Sequence, residues 1–92
     1  MTLIEIVCNL ESFDNEGIIC ATKPWTENSQ GIVVLEPEAG RLPAQAERLG
    51  MDYFLEVLIA RDFLEGWKAT FGTEPTLEET CARLIKYAST DA

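Results

Sequence analysis

Two β-rich runs place the strongest constraint on what this chain folds into. Ile18–Lys23 and Gly31–Glu36 flank the segment Pro24-Trp25-Thr26-Glu27-Asn28-Ser29-Gln30. The second run centres on Ile32-Val33-Val34-Leu35, a mostly β-branched cluster too short for a helix. Together they predict an antiparallel hairpin with a long tip. Asp14-Asn15-Glu16-Gly17 reads as the turn leading into it, with Gly17 tolerating positive φ. Pro37 ends the second strand because it cannot donate to a ladder. An isolated hairpin is marginal in water, so its apolar face must lie on helices supplied by the rest of the chain.

Three segments carry helical spacing. Leu3, Ile6, Val7 and Leu10 recur at i, i+3, i+4 and i+7 between Thr2 and Phe13, and Thr2 with Glu5 forms a capping box. Ile4 and Cys8 widen that stripe, so the first helix needs cover on more than one side. Asp52 to Phe71 reads as a long helix through Phe54, Val57, Leu58, Leu64, Trp67 and Phe71, stopped by Gly72 at C′. Tyr53, Leu55, Ile59 and Phe63 leave it little polar face, which marks a central element. The alternative is a strand at Met51–Val57 running into a shorter helix. Thr76 and Glu79 make a second capping box, opening a helix to about Ser89 with Leu77, Cys81, Leu84, Ile85 and Ala88 inward. Glu78, Glu79, Arg83 and Lys86 are expected outward, with Glu79 and Arg83 as an i, i+4 pair. The short connector Thr73-Glu74-Pro75 implies that the last two helices pack antiparallel. Between the hairpin and Gly50, Pro37, Gly40 and Pro43 mark a connecting segment with one helical turn at Ala44–Leu49. The expectation is one α+β domain over residues 1–92, in the order α-β-β-α-α, without repeats or a linker.

Sixteen acidic residues against seven basic ones give a formal charge of -9. Such a surface repels phosphate backbones and anionic headgroups, which argues against nucleic acid and membrane partners. It attracts basic partners instead: a cationic protein first, or a polyamine, or a nucleic-acid-binding surface whose ligand it imitates. The same acidity also serves solubility. Three cysteines, Cys8, Cys20 and Cys81, sit among apolar residues with no C-x-x-C spacing and read as buried, reduced thiols. The opening MTLIEIVCNL lacks a basic n-region, and no apolar stretch is long enough to cross a bilayer. The expected setting is cytoplasmic.

Histidine is absent, which removes the usual general base, the Ser-His and Cys-His nucleophile systems and the commonest metal ligand. No phosphate-cradling glycine motif is present. Glu27 with Asn28 lacks the alternating oxygens of a calcium loop. The carboxylate pairs Asp62 with Glu65 and Glu78 with Glu79 read as solvated helix surface, the second favoured by the helix dipole. Neither an enzyme nor a cofactor nor a metal is expected. Trp25 beside Pro24 has two readings: an exposed anchor for a partner, or a ring folded back over the sheet with its N–H on a carbonyl. The candidate partner-binding residues are therefore Trp25, Thr26, Glu27 and Asn28. Trp67, at helical spacing with Leu64 and Phe71, reads as core.

Lys23-Pro24-Trp25-Thr26, Tyr53-Phe54-Leu55-Glu56-Val57, and Arg83-Leu84-Ile85-Lys86-Tyr87-Ala88 with Asp91-Ala92 make the chain resemble a family of small acidic bacterial proteins of unknown function. More loosely it is similar to immunity proteins that neutralise a toxin. The resemblance implies a non-catalytic binding role and assigns no residues. Two functions are expected from these features: an acidic module binding a basic partner, or a self-associating structural homodimer whose helices need a second copy to cover them.

Overall fold

The computed structural model describes residues 1–35 and 44–90. At its centre lies an antiparallel sheet of order β2-β1-β3, built from β1 (Gly17–Ala21), β2 (Gly31–Leu35) and β3 (Asp52–Glu56). β1 and β2 are the expected hairpin, in register from Gly17 opposite Leu35 to Ala21 opposite Gly31. The helices are α1 (Leu3–Cys8), α2 (Ala44–Arg48), α3 (Val57–Lys68) and α4 (Leu77–Thr90), with a 3₁₀ turn at Leu10–Ser12. The chain is thus α+β as expected, with a third strand inserted before the last two helices. The expected strand stop at Pro37 lies outside the described residues.

The segment expected as one helix from Asp52 to Phe71 divides into β3 and α3, which is the alternative of a strand running into a shorter helix. A bulge explains why its pattern misleads. Cys20 pairs with Tyr53 and Ile19 with Leu55, which leaves Phe54 without a partner across the ladder. An extra residue in one strand breaks the two-residue alternation, and both Phe54 and Leu55 enter the core. Three apolar residues in a row then resemble a buried helix. Because α3 begins at Val57, its buried face is Val57, Ala60 and Leu64. Leu58 and Phe71, both expected inward, are 46% and 47% exposed. The helix closes at Lys68 with Thr70 N–H on the Trp67 carbonyl and Phe71 N–H on that of Lys68, so Gly72 is not its C′ stop.

Both faces of β1 are covered. On one side Ile19 and Ala21 join Leu3, Ile6, Val7, Leu10, Leu64, Cys81 and Leu84 in the main core, which α1, α3 and α4 complete. On the other, Ile18 and Cys20 pack with Ala46 of α2 and with Met51. Every residue of β1 is buried as a result. Trp67 is half-buried against the main core with its ring edge on Phe71. Phe63 stacks on Tyr87, while Leu64 and Lys68 line a groove with Leu77 and Thr80; rising along α3 therefore means descending along α4, the order of an antiparallel pair.

Three local expectations change. Cys8 lies off the inward stripe of α1 and is exposed, whereas Cys20 and Cys81 are buried. Arg83 lays its guanidinium over the Phe63 ring at 5.0 Å, and the Glu79 carboxylate accepts from Thr76 N–H at 3.0 Å, so the two do not pair. Gly17 has no positive φ; its backbone is approached so closely that an added Cβ would lie 3.0 Å from the Asp14 carbonyl oxygen and from Val33. The left-handed glycine is Gly50, at φ 70° just after α2.

Candidate partner-binding surface

The expected site residues lie on the tip joining β1 to β2, and the tip folds tightly on itself. Ser29 N–H donates to the Thr26 carbonyl at 3.0 Å, Thr26 N–H to the Ser29 hydroxyl at 2.8 Å, and Asn28 N–H to the Thr26 hydroxyl at 3.3 Å. The Ser29 hydroxyl itself donates to the Pro24 carbonyl. These short-range bonds are what Ser, Thr and Asn supply in turns. The tip also serves α1. A helix start leaves its first N–H groups without intrahelical acceptors. Here Leu3 N–H donates to the Ser29 carbonyl at 2.9 Å and Ile4 N–H to the Glu27 carbonyl at 3.0 Å, while Glu5 N–H donates to the Thr2 hydroxyl.

Trp25 adopts the folded-back placement. Its indole N–H donates to the Ala21 carbonyl at 3.2 Å, and its ring meets Phe54 edge-on at 4.9 Å between centroids. The ring is half-buried, and Lys23 Nζ lies 4.9 Å from its centroid. Lys23, Pro24 and Trp25 line an open cleft of about 400 Å³ with Ala88 and Ser89 of α4. Thr26 and Asn28 are exposed and Glu27 is half-buried. The four expected residues therefore share one strap, with a single indole flank and two polar side chains facing out.

Two further concavities were not anticipated. One, of about 550 Å³, runs between α1, α3 and the start of α4 and is lined by Val7, Cys8, Leu64, Lys68 and Leu77 among others. The second lies at the end of the sheet opposite the tip. Asn15, Glu16, Leu35, Glu56 and Leu58 line an open cleft of about 530 Å³ there. Reading Leu58 as part of a buried stripe hid this second cleft; the signal available was Leu35 closing an edge strand.

The surface charge is largely uncompensated. Among the described residues one ion pair forms, Arg61 to Glu11 at 2.7 Å, and Arg61 also donates to the Asn15 side chain. Hydrogen bonds from Thr2 and Thr76 hold the Glu5 and Glu79 carboxyls below the usual carboxylate range. Burial pushes the Cys20 and Cys81 thiols up to about 11, with Asp52 and Glu27 adding to the effect. Among the described residues no group of His, Cys, Asp or Glu converges to hold a metal ion, and no helix is long and apolar enough to cross a membrane. Comparison with family models, with curated proteins and with solved structures finds no match.

Proposed function

We propose that this chain is a non-catalytic acidic binding module for a basic protein partner, of which an inhibitor or immunity-type protein is one form. The observation that carries this reading is the uncompensated acid: a formal charge of -9, with one ion pair among the described residues. Carboxylates left without cations project a field that accelerates encounter with a positively charged surface and orients it. The hairpin tip belongs to the reading as a contact surface through the open flank of Trp25 and the side chains of Thr26, Glu27 and Asn28.

Titration calorimetry against a set of basic proteins, with polylysine as the reference, tests it. A saturable complex tighter than polylysine, weakening as salt rises, is the expected outcome. If every partner binds no better than polylysine, the reading fails. Trp25→Ala and Glu27→Lys are expected to weaken the complex; unchanged binding in both removes the tip from it.

The rival reading is a homodimer. It is favoured by β2 being an edge strand that ends in Leu35, 62% exposed. The apolar circumference of α1 no longer argues for it, since Leu3, Ile6 and Val7 are buried within the chain. A monomeric mass at high protein concentration removes this rival.

A further inference from the structure

The cleft at the end of the sheet is assembled by register. Gly17 opposite Leu35 and Ile18 opposite Glu56 bring the ends of β2 and β3 to either side of the start of β1. The turn before β1, carrying Asn15 and Glu16, falls at that same end, and α3 leaves β3 so abruptly that Leu58 follows Glu56 by two residues. Two leucines, 62% and 46% exposed, thus line one concavity with two carboxylates. Single exposed leucines are ordinary on a protein surface. Two that share a cleft rimmed by charge have the makeup of an interaction site.

The charge selects the occupant. Among the described residues no cation lines the cleft, and neither Glu16 nor Glu56 has an ion-pair partner. The nearby cation, Arg61, is held by Glu11 and Asn15. A second copy of this chain would set Glu16 and Glu56 against their own equivalents, each molecule carrying -9, and like charges facing each other oppose association. A nucleic acid would bring phosphates to carboxylates. A polyamine would satisfy the acids and leave both leucines in water. A segment with an apolar side chain flanked by lysine or arginine satisfies both features together.

Resting on the acidic-module reading, we infer that the Leu35–Leu58 cleft docks an amphipathic cationic segment of the partner. Its apolar side chain sits between the leucines and its cations lie on Glu16 and Glu56.

The test uses a synthetic amphipathic leucine–lysine peptide and a polylysine of equal charge, with affinity read by anisotropy and the contact mapped by amide shift changes. The intact chain is expected to prefer the leucine–lysine peptide by about tenfold, the scale of one buried apolar contact. Leu35→Ser with Leu58→Ser is expected to erase that preference. Glu16→Gln with Glu56→Gln is expected to weaken both peptides and flatten their salt dependence. Glu47→Gln with Glu78→Gln, equal in charge but outside the cleft lining, is expected to change them less. Circular dichroism verifies that each variant is folded. If the tenfold preference survives in both cleft variants, the cleft assignment is overturned while the acidic-module reading stands. If the intact chain shows no preference, the inference fails, and no better binding of any basic protein then removes the broader reading as well. A dimer that Leu35→Ser with Leu58→Ser dissociates would assign the cleft to a second copy and overturn the proposal.

Discussion

Cysteine shows how far a single residue's surroundings decide its chemistry. All three thiols stand on or beside an apolar pattern of the chain, Cys81 by helical spacing with Leu77, Leu84 and Ile85, yet Cys8 is exposed and Cys20 and Cys81 are buried. The pattern around Cys8 is apolar because α1 is apolar over much of its circumference; whether position 8 faces in or out depends on where α4 and the sheet lie. For the buried pair, thiols pushed up to about 11 carry almost no thiolate near neutral pH, and the thiolate is the reactive form. A thiol reagent applied to the native chain near neutral pH is therefore expected to modify one cysteine promptly and all three only in denaturant. Mass analysis of the labelled peptides counts them. Prompt labelling of Cys20 or Cys81 would show that the core opens on the timescale of the reagent. Trp25 was legible only as a pair of alternatives, because proline and tryptophan beside a turn fit both; the Ala21 carbonyl that captures the indole is fixed by the strand, not by the neighbouring residues.

At the scale of elements, what was legible is what is local. Both capping boxes form, since Thr and Glu three residues apart satisfy each other's backbone without help from the rest of the fold. The hairpin forms for a similar reason. β3 was obscured because its bulge is a property of the pairing with β1, and Tyr53-Phe54-Leu55 carries no trace of which residue will be the extra one. Leu58 inherited that error, and with it the cleft. The Thr76 box makes a measurable claim. Thr76→Ala is expected to cost about 1 kcal/mol in urea denaturation near neutral pH. Glu79, with its carboxyl held low in the fold, contributes stability that is present above the usual carboxylate value of 4.5 and is lost as pH falls through the lower folded value. Thr76→Ala leaves the backbone N–H that supplies most of this effect, so the pH test is Glu79→Ala, whose cost relative to the parent chain is expected to narrow in acid. A difference that is constant across that window would remove the Glu79 half of the box.

Across the whole molecule the acids act together. With a formal charge of -9 and one ion pair among the described residues, the folded chain repels itself more than its expanded form does. Screening relieves that repulsion within a Debye length of about 10 Å at 0.1 M salt. The melting temperature is expected to rise with sodium chloride, by roughly 4–8 °C for each kcal/mol of repulsion removed. A fall on adding salt would mean that attractive pairs dominate. Salt is therefore expected to stabilise the chain while it weakens the complex with a basic partner, two opposite responses from one charge distribution.

The strap between the hairpin tip and α1 has a consequence for synthesis. Leu3 and Ile4 leave the ribosome well before Ser29 and Glu27, whose carbonyls their N–H groups will use. A helix of six residues is too short to persist alone in water. The first helix must therefore wait, unformed and apolar, until the ribbon behind it has closed and turned back to meet it.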